Sequence, residues 1–173
     1  AIADIGYLTN RSLHAYEEAE LGIRLLAAGY KLHRLNVPYF RHTSYTMPTF
    51  RMLRYRWKSG FHQAPGELLR SAWGKPWFRD ALMMVKNEVI FASYILIVVI
   101  AFFTFDVSLI DIALLPLLAF ILLKTIRNRS LKNGLNSVIN LAVLSAGLIK
   151  GLFRPQRDPR IPPDNKVIHE QVE

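Results

Sequence analysis

Two long apolar runs set the terms on which this chain folds. One spans Asn87–Asp106 and the other Val107–Lys124. Each holds roughly the 17 to 20 apolar residues that a helix rising 1.5 Å per residue needs to cross a hydrocarbon core about 30 Å thick. The two adjoin, with Asp106 and Asp111 at their junction, so they read as a tight transmembrane hairpin. The chain therefore divides into a polar front half and a membrane-embedded back half.

Charge orients that hairpin. The net charge of +9 is concentrated in Arg51, Arg54, Arg56 and Lys58, in Lys75, Arg79 and Lys86 before the first run, and in Lys124, Arg127, Arg129 and Lys132 after the second. The loop between the runs carries acids and no bases. The positive-inside rule then puts the front half and the Lys124–Lys132 loop in the cytoplasm. A basic balance also suits nucleic acid, but charges flanking membrane spans account for it, and no nucleic-acid partner is expected. Cysteine is absent, which excludes disulfides and thiolate metal sites. The 173 residues open on Ala1 with no initiator Met, leader pattern or cleavage site, as expected for the C-terminal part of a longer protein.

Along the front half, Ala15–Ala28 combines good helix formers with Leu21, Leu25 and Ala28, and Gly29 supplies a C-terminal stop. Short strands are predicted around Lys31–Leu35 and Pro38–Arg41. A second helical region is predicted from Pro48 to Ala72, interrupted near Ala64-Pro65-Gly66. Residues 75–86 read as an amphipathic interfacial helix, with Trp73 and Trp77 at headgroup depth. Leu135–Phe153 is apolar but repeats Asn136, Asn140, Gly147 and Gly151 on one face. A crossing there would strand Lys150, Arg154 and Arg157 on the far side, so an interfacial helix is favoured over a third span. Residues 154–173 read as a loose polar tail.

Three groups of residues have the chemistry of a site. Glu17, Glu18 and Glu20 crowd the first turn of the first helix. Acids are favourable there in any case, and a general base facing a cleft is the other reading. His42 follows a predicted strand end. Arg51, Arg54, Arg56, Trp57 and Lys58 form a basic helix that suits either anionic lipid or a diphosphate gripped by guanidinium forks beside an indole.

Taken in order, these segments resemble the C-terminal half of the catalytic domain of family 2 glycosyltransferases, inverting enzymes of the α/β GT-A fold. That family has a "GGF" turn, an "ED-x-D-L-x-x-R-L-x-x-x-G-Y" helix, a strand ending "V-x-x-x-x-H" and a "Q-R-x-R-W-x-x-G" helix, often before membrane spans. Gly6-Tyr7-Leu8 matches the turn, and Glu17-Glu18-Ala19-Glu20-Leu21 with Arg24-Leu25 and Gly29-Tyr30 matches the acidic helix. His42 fits the histidine, and Arg54-Tyr55-Arg56-Trp57 with Gly60 fits the last motif.

The resemblance implies that residues 1–74 are the end of a catalytic domain, followed by the interfacial helix at 75–86 and the hairpin at 87–126. It implies Glu18 as the base that deprotonates an acceptor hydroxyl, with Glu17 as the alternative. Arg56 with Arg54 would hold the donor diphosphate, Trp57 would line the acceptor site, and His42 would lie near a metal. A nucleotide sugar is the implied donor, a lipid-linked glycan or polysaccharide the implied acceptor, and Mg²⁺ or Mn²⁺ the implied cofactor, its main ligands lying N-terminal to these motifs. Two departures stand out. The base position holds Glu in place of Asp, and the glutamine position holds Leu53, which cannot hydrogen-bond a phosphate. The latter and the count of two spans argue against a processive polysaccharide synthase. A membrane-anchored module without catalysis is the remaining alternative.

Overall fold

A computed structural model describes residues 1–33, 35–37, 47–104 and 107–161. Eight α-helices follow one another in the described residues: α1 Ile2–Ile5, α2 Glu17–Ala27, α3 Thr49–Lys58, α4 Ala64–Ala72, α5 Phe78–Met84, α6 Lys86–Phe103, α7 Val107–Asn128 and α8 Leu131–Leu152. A 3₁₀ turn, Phe61–Gln63, joins α3 to α4.

The first helix of the acidic motif begins two residues later than its sequence pattern indicates. Tyr16 sits in the left-handed region at φ 69°, so the helical path opens only at Glu17. It closes as expected. Gly29 adopts φ 87°, and Gly29 N and Tyr30 N donate to the carbonyls of Leu26 and Leu25, both at 3.0 Å.

Among the described residues no strand forms, which corrects the α/β expectation at the first predicted strand. Lys31–His33 and Leu35–Val37 are exposed and irregular. A strand is held by a neighbour's ladder of hydrogen bonds, and an extended segment without one has nothing to fix it. The second predicted strand, Pro38–Arg41, lies outside the described residues, as does His42.

The core of the front half forms around α4. Leu68, Leu69 and Ala72 pack with Leu13, Ile23, Ala81, Val85 and Leu148, the last contributed by α8. Close approach of α8 to α4 and to the turn before it depends on glycine at three points. A Cβ on Gly66 would lie 1.9 Å from the Leu148 carbonyl oxygen, one on Gly147 2.0 Å from that of His62, and one on Gly151 2.0 Å from that of Gln63. The spacing of Gly147 and Gly151, four residues apart, puts both on one face of α8, the small-x-x-x-small arrangement that lets helix backbones touch.

The interfacial segment is shorter than its pattern, since α5 covers only Phe78–Met84. The chain breaks at the fully buried Val85 (φ −112°, ψ 20°) and turns into α6. Helices α6 and α7 form the expected hairpin. Pro116 lies inside α7, where its missing N–H leaves the Ile112 carbonyl without its usual helical partner. The Tyr94 hydroxyl of α6 donates to the adjacent carbonyl of Ala113 at 2.7 Å, so polar support reaches the weakened turn from the neighbouring helix.

Three helices, α6, α7 and α8, are long and apolar enough to cross a membrane. The contacts of α8 bring both of its ends to one side. Its first turns pack on the last turns of α7, where a Cβ on Gly134 would meet Thr125 Oγ1 at 2.4 Å. Farther along, Ser145 Oγ donates to the Glu88 carbonyl at the start of α6 (3.0 Å), and Gly147 and Gly151 rest on the turn before α4 and the start of α4. Because the hairpin returns α7 to the side on which α6 begins, α8 leans across the base of the hairpin toward the front half.

Candidate functional site

The three acids of α2 have different surroundings. Glu20 is fully buried. It accepts a hydrogen bond from the Tyr7 hydroxyl at 2.6 Å and pairs with Arg24 Nε at 2.9 Å, one helical turn on. Arg24, 1 % exposed, also donates to the carbonyls of Ile5 (3.2 Å), Tyr7 (2.7 Å) and Leu8 (3.3 Å) and lies 3.7 Å over the Tyr7 ring. This pair straps the Gly6-Tyr7-Leu8 turn onto α2. Burial, and then the bond to Glu20 and its charge, push the Tyr7 hydroxyl pKa upward.

Glu17 is half-buried and lines an open cleft of about 510 Å³ with His14, Ala15, Tyr16 and Phe61. Glu18 is exposed and is not among the lining residues. The geometry thus brings the alternative base, Glu17, to the cleft and turns Glu18 to solvent.

Arg56 of α3 does not line this cleft but touches one of its walls. Its guanidinium stacks on the Phe61 ring at 4.8 Å. Its charge is also felt by His62, a buried ring whose pKa is lowered first by burial and then by Arg56, against an opposing contact with the Leu53 backbone. Gly60 makes this corner possible. It adopts φ 84°, and a Cβ there would lie 2.6 Å from His14 Cδ2 and 2.7 Å from Arg154 Nη1.

Arg54 and Trp57 face elsewhere. Two residues from Arg56 is about 160° away around a helix, and Arg54 with Trp57 and Leu53 lines a separate groove against Ala142, Val143 and Ala146 of α8. Lys150 Nζ sits 5.3 Å over the Trp57 ring. The two arginines expected to share one diphosphate therefore stand on opposite faces of α3.

One cluster had no counterpart in the sequence reading. Glu67, fully buried on α4, accepts from the His14 backbone N–H at 3.0 Å, contacts His14 Nδ1 at 3.0 Å and pairs with Arg154 Nη1 at 3.2 Å. Gln63 Oε1 accepts from the same Arg154 nitrogen at 2.9 Å. Beyond it, Arg157 N donates to Ser12 Oγ at 2.8 Å, and Arg11 Nη1 donates to the Ile161 carbonyl at 2.6 Å. Residues 154–161, expected to begin a loose tail, are instead pinned across the Asn10–His14 loop. Glu67 holds that loop, and with it one wall of the Glu17 cleft, in place.

Among the described residues no three His, Asp or Glu side chains converge in a way that would hold a metal ion. Those described residues alone supply no ligand set for Mg²⁺ or Mn²⁺, and His42 lies outside them. The chain matches no family model, and neither a curated protein nor a solved structure is significantly similar to it.

Proposed function

We propose that this chain belongs to a membrane-bound inverting glycosyltransferase of family 2 and forms the part that activates the acceptor and steadies the departing diphosphate beside the bilayer. The observation that carries this reading is Glu17 on a cleft walled by Phe61, whose ring carries the Arg56 guanidinium at 4.8 Å. Inverting transfer is a single displacement. A carboxylate takes the proton of the acceptor hydroxyl, its oxygen attacks the anomeric carbon, and the bond to the diphosphate breaks with its electrons leaving on the phosphate oxygen. Glu17 is the base in this scheme. Arg56 is the cation whose attraction grows as the diphosphate gains charge. The buried Glu20–Arg24 pair acts on neither reactant; it fixes the Gly6-Tyr7-Leu8 turn against the helix that carries the base.

The basic residues at Lys75, Arg79, Lys86, Lys124, Arg127 and Arg129 favour a cytoplasmic front half, where nucleotide sugars are available. The test is transfer itself. Membranes bearing the protein as its gene encodes it are incubated with a panel of radiolabelled nucleotide sugars. Label should enter a lipid or polysaccharide fraction with one nucleoside diphosphate released per sugar moved, and control membranes should do neither.

A second reading has a specific observation behind it. Glu17 and Glu18 occupy the first turn of α2, where acids are favourable without any catalysis. In a membrane-anchored module of that kind no nucleotide sugar would be consumed, so the same panel separates the two.

A further inference from the structure

We infer that the groove between α3 and α8 binds the long-chain lipid phosphate that carries the acceptor, with its chain along α8 and its phosphate between Arg54 and Lys150. The acceptor's role rests on the glycosyltransferase reading; the binding site rests on the groove alone. The groove holds about 470 Å³, and its wall is almost wholly apolar, with Leu53, Trp57, Ala142, Val143 and Ala146 lining it. Sugar hydroxyls set against those side chains would lose their hydrogen bonds to water and gain none, whereas a hydrocarbon chain loses nothing.

Charge selects the headgroup. Arg54 lines the groove and Lys150 lies over the Trp57 ring, and no carboxylate is among the lining residues. The larger cavity among α6, α7 and α8, about 610 Å³, offers no such preference, because Glu88 and Lys124 both line it. The exposed apolar residues of α8, Leu135, Ile139 and Ile149, continue past the groove and place it where a chain can enter sideways from a leaflet. The departure at Leu53 also acquires a reason. The glutamine of the resembled motif would put an amide into this apolar wall, and leucine keeps the wall dry.

The test is photolabelling of the whole protein in phosphatidylcholine nanodiscs, with no nucleotide sugar present. The probes are a diazirine-bearing polyprenyl monophosphate and the matching polyprenol. The phosphate probe should label residues 49–58 and 142–150 and exceed the alcohol by about tenfold, the worth of one charge-assisted contact. Arg54→Gln and Lys150→Gln, both exposed positions, should each remove most of that excess, and Ala146→Trp should block labelling by both probes. Equal labelling by phosphate and alcohol, or unchanged preference in both charge variants, would overturn the inference. Displacement by inorganic phosphate would assign the cations to a soluble anion, and displacement by phosphatidylglycerol would assign the groove to bilayer lipid; either outcome also overturns it. Because no donor is needed, binding without transfer would sink the transferase reading alone, and transfer without binding would sink this one alone.

Discussion

Breaking the Glu20–Arg24 pair should cost the front half a large share of its stability. Glu20 is fully buried and Arg24 is 1 % exposed, so removing either partner leaves a charge with no water and no counterion. Such losses run to about 3–5 kcal/mol, against a total of about 5–15 kcal/mol for an ordinary domain. Glu20→Ala and Arg24→Met are each expected in that range. The double variant Glu20→Leu/Arg24→Met removes both charges, and for an isolated pair the change would be near neutral. Here Arg24 also serves the carbonyls of Ile5, Tyr7 and Leu8. At about 0.5–1.5 kcal/mol for each lost bond, the double variant should still lose about 2–4 kcal/mol. The expected signature is a double variant no worse than either single one, with a coupling of at least about 3 kcal/mol. Native-state proteolysis in micelles at low protease reads it, because cleavage follows the open population when closing is fast relative to cleavage. Additive losses, or a single variant costing under about 1 kcal/mol, would refute the strap.

Gly147→Ala and Gly151→Ala place a Cβ about 2.0 Å from a carbonyl oxygen; each should cost at least about 1–3 kcal/mol by thermal unfolding, and unchanged stability would mean that α8 does not touch the turn before α4. The lowered pKa of His62 makes stability depend on pH below the ordinary value of 6.5. The unfolded ring takes up its proton first, so stability is complete above 6.5 and falls as pH drops toward the folded-state pKa. His62→Gln should flatten that slope in denaturant titrations, and an unaltered slope would assign it to other groups. In this cysteine-free chain, Ser108→Cys should react with an impermeant thiol reagent added to intact cells and Ser130→Cys should not; the reverse would invert the topology.

The parts of this fold that announce themselves are those with a local signal. The apolar runs located α6 and α7, though not their C-terminal ends, and Gly29 marked the end of α2. The start of α8 at Leu131 was hidden, since Lys132, Asn133 and Gly134 look like loop until Ser130 is seen to accept from Asn133 N. Strand-like alternation over Lys31–Leu35 misled because alternation describes a face and supplies no partner strand. At the site, the crowding of Glu17, Glu18 and Glu20 was visible, and the Glu20–Arg24 spacing of four was a signal for a pair. Which acid faced a cleft was not visible, because that depends on Phe61 and His14. The Glu67 cluster joins residues far apart in the chain, and no period in a sequence encodes such a contact.

The central claim is that one carboxylate of α2 acts as the base, and paired amide substitutions in the full protein test it most directly. Transfer rate and donor binding are measured for Glu17→Gln, Glu18→Gln and the unaltered protein at saturating nucleotide sugar. Glu17→Gln should bind donor nearly as well while turning over about 10² to 10⁴ times more slowly, and Glu18→Gln, exposed to solvent, should stay within a few-fold of normal. Near-normal turnover in Glu17→Gln would contradict the account, leaving Glu18 as the base if that variant alone is dead and a plain helix terminus if neither is.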